Sequence, residues 1–228
     1  MSLSKLVAKG DAMGASARRL SALTGVVFVA LLLVAFALTS GAPSTSASAT
    51  KVQDYYLAHK SHYGNGGWLV TLSVIFGVFF FGYLRSYFRD LGVEWLAAIF
   101  FGGAILFAAD GAISAGVSFA ISDHPSALSA QSLQLINTLA SDLTWPFLSI
   151  GLAVLFLSAG FVIHQTRALP MWLAWVSWLF GVLAATEFLA FVAFIGLAPW
   201  ILYLSITLAI RAGRSASTGP EPMATAPA

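Results

Sequence analysis

The chain has 228 residues, of which 59% are hydrophobic and 9% charged, far from the roughly 25% charged of an ordinary soluble domain. Its mean hydropathy of +0.87 and formal charge of +2 read as an integral membrane protein and exclude a basic nucleic-acid-binding surface, so nucleic acid is not an expected partner. Cysteine is absent, which removes disulfides, thiol redox chemistry and cysteine metal sites.

In chain order, residues 1–19 form a basic tail carrying Lys5, Lys9, Arg18 and Arg19. The run LSALTGVVFVALLLVAFALTSG follows, about the ~20 apolar residues that a spanning helix needs. Ala47-Ser48-Ala49 resembles a signal-peptide cleavage site, but the apolar run is too long for a typical signal core, and a retained first helix at 20–41 is the preferred reading. The loop 41–66 carries Val52, Tyr55, Tyr56, His59 and Tyr63 at nearly helical spacing, which predicts a short interfacial helix with tyrosines at headgroup level. His59 and His62 have an i, i+3 spacing that suits a metal, but no third ligand is set by spacing, and headgroup-facing histidines are the preferred reading. No metal site is expected.

Further spans are expected at about 67–88, 93–121, 131–163, 171–193 and 198–211, with Gly196 and Pro199 turning the fifth into the sixth and a disordered tail over 215–228. Nine of the eleven basic residues then fall on one side, leaving Lys51 and Lys60 on the other. By the positive-inside rule this is an all-α, polytopic bundle of six transmembrane helices with both termini cytoplasmic, as expected of a multi-pass protein of a bacterial cytoplasmic membrane.

The fourth span carries the densest polar pattern. Gln134, Asn137, Thr138, Ser141, Asp142, Trp145 and Ser149 recur at intervals of three and four, which sets them along one helix face. An Asp near the middle of a spanning helix costs roughly 2.5 to 3.5 kcal/mol on insertion scales, so that face should meet other helices or a wet cavity. Pro146 lacks the N–H that would bond the Asp142 carbonyl and is expected to break the helix there. Asp110 and Asp142 lie 16 residues on either side of Ser126, so an antiparallel hairpin places them at matching depth, to about one turn, where two carboxyls can share a proton or line one cavity. Ala108, Ala112 and Gly116 offer a close-packing edge on the third span, with Ser114 and Ser118 continuing the face of Asp110. Glu187 is a third acid, expected about two turns from the outer end of the fifth span.

From about Tyr83 onward, the acid early in the fourth span before GLAVLFL, the passage RALPMWLAWVSWLFGVLA and the proline-started APWILYLSITLAIRAG together resemble bacterial six-helix membrane proteins grouped as a domain of unknown function. The resemblance implies the six-helix fold and no activity. Relatives often carry an acid after the last proline, where this chain has Trp200 and Ile201.

Asp110, Asp142, Glu187, Trp145, Asn137 and Thr138 are thus the expected ion- or substrate-binding residues, with no cofactor. Three functions fit: proton or small-cation linked translocation, an embedded acid-catalysed isomerase or cyclase acting on a lipidic or isoprenoid substrate, or an accessory subunit whose acids pair with a partner membrane protein. Membrane lipid is an expected partner, with a homo-oligomer as an alternative assembly. No nucleophile triad or phosphate loop is present.

Overall fold

The computed structural model describes residues 3–123, 128–186 and 189–217. They form six helices and no strand: α1 Leu3–Thr39, α2 Ala49–Asp90, α3 Glu94–Asp123, α4 Ala130–Thr166, α5 Met171–Ala185 and α6 Ala190–Ser217. Among the described residues, five helices are long and apolar enough to cross a membrane, and α5 is a shorter apolar helix. Each helix packs on its neighbours in sequence, and α6 returns to close against α1.

The interior of this ring is built from phenylalanine. Phe81 meets Phe28, Phe100 and Phe107 edge-on, with ring centroids 5.9, 6.1 and 6.5 Å away, a geometry that sets positive ring edges against negative faces. Glycine sets the closest helix approach. A Cβ added at Gly103 would lie 2.6 Å from the Leu155 backbone nitrogen, and one at Gly151 would lie 2.7 Å from that of Phe107, so α3 and α4 touch backbone to backbone there. The edge expected at Ala108, Ala112 and Gly116 does not do this. Ala112 and Gly116 are exposed, and a Cβ on Gly116 would meet nothing within 4 Å.

Besides α1, which begins at Leu3 inside the expected basic tail rather than near residue 20, three features differ from the sequence expectation. The interfacial helix is continuous with the second span as the 42-residue α2, bent at His59, whose φ of −113° and ψ of 16° leave the helical region. At 1.5 Å per residue α2 is about 63 Å long, roughly twice a hydrocarbon core. Its projecting end begins at Ser48, which caps the helix by accepting from the Lys51 N–H. This end packs Val52, Tyr56 and Tyr63 against Ile121 and Leu133 in a second, smaller core, so Tyr56 and Tyr63 are buried rather than displayed. Second, α4 is one helix across Pro146. Third, the turn expected at Gly196 and Pro199 lies inside α6, and the chain reverses between Ala185 and Ala190. Gly196 is there to admit a ring, since a Cβ at that position would collide with Phe180.

Candidate functional site

Asp110 sits on α3 with 8% of its surface exposed, and its Oδ1 is buried with no hydrogen-bond partner. It opens on a cavity of about 190 Å³ between α1, α2, α3 and α6, walled by Phe28, Phe36, Phe107 and Phe194, with Ser73, Thr39 and Ser114 as polar neighbours. No basic residue lines this cavity among the described residues. Two of the hydroxyls are engaged with backbone: Ser73 donates to the Phe28 carbonyl at 3.2 Å and Thr39 to the Ala35 carbonyl at 3.0 Å. Asp110 is therefore a carboxyl held in an aromatic wall without a counter-ion, an arrangement with a high solvation cost.

Thr39 and Ser114 also line a second cavity of about 560 Å³. This vestibule lies at the end of the bundle formed by the α1–α2 connection, the projecting end of α2 and the start of α4, and includes Pro43, Tyr56, Tyr63, Ser118 and Asn137. Its rim is stapled by the α4 polar stripe. The Tyr56 hydroxyl donates to Asn137 Oδ1 at 2.5 Å, Asn137 Nδ2 donates to the Pro43 carbonyl at 3.2 Å, and Gln134 Nε2 donates to the Ala47 carbonyl at 2.9 Å. Burial pushes the Tyr56 hydroxyl up to about 12, which extends its range as a donor into alkaline pH.

The other expected site residues are distributed differently. Asp142 is exposed and lines neither cavity, so the two acids do not form the expected pair. The register of the hairpin explains why. Phe107 lies against Gly151, whereas a hairpin turning at Ser126 would bring residue 145 there; the slip of six residues parts the two acids by about 9 Å of rise, and Asp142, about two and a half turns from Gly151, lies on the side of α4 away from α3. Thr138 donates back to the Gln134 carbonyl at 3.0 Å in its own helix. Trp145 is half-buried and lines neither cavity. Ser149 is buried with an unpartnered Oγ. The Ser141 side chain and Glu187 lie outside the described residues.

His59 and His62 have ring centroids 5.7 Å apart, but His59 Nδ1 is bonded to the Tyr55 carbonyl at 2.8 Å. No group of three metal-ligating side chains occurs among the described residues. Thr39, Ser73, Tyr56 and Tyr63 were not read as site residues from the sequence. Ser73, which with Thr71 and Ser86 is one of three serine or threonine residues in the apolar second span, is the available signal.

No protein-family model matches the chain, and no curated protein or solved structure gives a significant match.

Proposed function

We propose that this chain is a multi-pass protein of a bacterial cytoplasmic membrane, with six spans and both termini inside, in which Asp110 is the site of proton or small-cation linked translocation. The observation that carries the reading is the pair of neighbouring cavities that share Thr39 and Ser114 as walls. One holds the buried carboxyl, and the other lies at the end of the bundle that the charge distribution assigns to the outside. A carboxyl without a counter-ion is stabilised by taking up a proton or a cation, and the vestibule supplies an approach from one face. α5 has 15 residues, about 22 Å, and spans with local thinning of the bilayer. The resemblance to the six-helix family fits this topology and adds no activity.

The test is proton or cation flux into liposomes containing the purified protein and its Asp110→Asn and Asp142→Asn variants. Flux should disappear in Asp110→Asn and persist in Asp142→Asn. Well-folded protein without flux overturns the reading. A second reading, acid catalysis on an isoprenoid-like substrate, is favoured by the four phenylalanine rings around the carboxyl, which suit a carbocation. An apolar ligand released from the purified protein by organic extraction, and lost in Asp110→Asn, would select it.

A further inference from the structure

The opposite end of the bundle carries a separate feature. Along the seam between α1 and α6 runs a groove of about 420 Å³ with Arg19 and Arg214 among its lining residues and no acidic residue in its described lining. Its wall is apolar: Leu23, Ile206 and Ile210 line it, and all three are exposed. Ile206 and Ile210 are one turn apart on α6, and Gly213 and Arg214 occupy the next turn, so the surface changes from hydrocarbon to guanidinium over about 12 Å of helix. At Gly213 the groove is open, since a Cβ there would meet nothing within 4 Å.

A neighbouring cavity, on the other side of α6, contains Arg18 and Arg211 but also Asp90, which opposes an anion. The two arginine-bearing cavities are thus chemically distinct.

We propose that the α1–α6 groove is a binding site for an anionic phospholipid of the surrounding bilayer, with the headgroup phosphate between Arg19 and Arg214 over Gly213 and an acyl chain along Leu23, Ile206 and Ile210. Three features of the groove support this occupant. Guanidinium pairs bind phosphate through charge-assisted hydrogen bonds. The apolar wall begins next to them, which a free phosphate would not use. Basic residues at the membrane surface attract anionic headgroups. The proposal rests on the membrane placement of the bundle and is independent of the role given to Asp110.

The test uses the full-length protein in detergent, with dioleoylphosphatidylglycerol, dioleoylphosphatidylcholine and inorganic phosphate as separate probes. Native mass spectrometry reads retained lipid, and thermal unfolding reads stabilisation. Retention of phosphatidylglycerol should exceed that of phosphatidylcholine by about thirty-fold, the preference expected from two arginines near a headgroup. Arg19→Gln with Arg214→Gln should reduce that preference to near parity. Arg85→Gln with Arg89→Gln removes the same charge elsewhere and should leave it intact. Gly213→Leu, whose side chain enters open space, should displace the lipid without lowering Tm.

Equal retention of the two lipids overturns the proposal. So does equal sensitivity to the Arg85 and Arg89 changes, which would indicate a generally basic surface. Stabilisation by phosphate alone matching that by phosphatidylglycerol would mean an anion site without a lipid, and phosphatidylglycerol retained in Gly213→Leu would place the lipid elsewhere.

Discussion

At the residue scale, Asp110 carries a conflict between stability and use. Its Oδ1 is buried without a partner, and an unmet buried polar group costs about 1–3 kcal/mol. Asp110→Leu, with a cavity beside it to receive the larger side chain, should therefore raise the unfolding free energy by about that amount while abolishing flux; thermal unfolding and the liposome assay read the two effects separately. Tyr56 is the opposite case, a polar group fully engaged. Tyr56→Phe leaves Asn137 Oδ1 without its phenol donor and should cost about 1–3 kcal/mol, read as a lower midpoint in denaturant. Burial raises the Tyr56 pKa from 10.0 to about 12. A raised pKa favours the folded state while the group keeps its proton, so this stabilisation is present in full below about pH 10 and is lost as pH rises towards 12. Tyr56→Phe should reduce that alkaline loss and leave the share of Tyr63, whose hydroxyl burial pushes up further, measured by thermal unfolding across the range.

At the element scale, the α3–α4 crossing decides where the polar stripe of α4 points. Gly103 and Gly151 let the two backbones meet, and the register they set turns Asp142 outward while leaving Asn137 and Ser149 buried. Gly151→Ala places a methyl 2.7 Å from backbone that cannot give way and should destabilise by about 1–3 kcal/mol. Gly116→Ala, on an exposed face with open space, should instead stabilise by up to about 1 kcal/mol through helix propensity. A comparison of the two thermal midpoints tests whether this crossing, rather than the small-residue edge around Gly116, holds the helices. The prolines teach a related lesson: Pro146 and Pro199 both lie inside continuous helices. In membrane helices, neighbouring side chains and small backbone adjustments re-satisfy the freed carbonyls, so a proline marks a bend more often than an end.

At the scale of the whole molecule, the chain has polar chemistry at both ends and an aromatic middle: a tyrosine- and asparagine-lined vestibule, a phenylalanine ring, and an arginine-bearing end. The proposed orientation is testable because the chain has no cysteine. A membrane-impermeant maleimide should label Ser46→Cys in intact spheroplasts and Gly14→Cys only after lysis; the reverse pattern would invert the topology. The sequence by itself determined that the chain is helical and apolar, and where α3 and α4 begin and end to within three residues. These are sums over local windows: hydropathy adds residue by residue, and a capping serine such as Ser48 or Ser129 acts within its own first turn. The α5–α6 reversal escaped because Gly196 serves Phe180 rather than a turn, which only the neighbouring helix reveals. The partnership of Asp110 escaped for the same kind of reason. Counting from Ser126 measures depth along a symmetric hairpin, but depth and facing are decided where side chains are too small to keep backbones apart. Only the tertiary structure, through Gly103 against Gly151, decided that Asp110 faces a cavity shared with Thr39 and Ser114 while Asp142 faces outward.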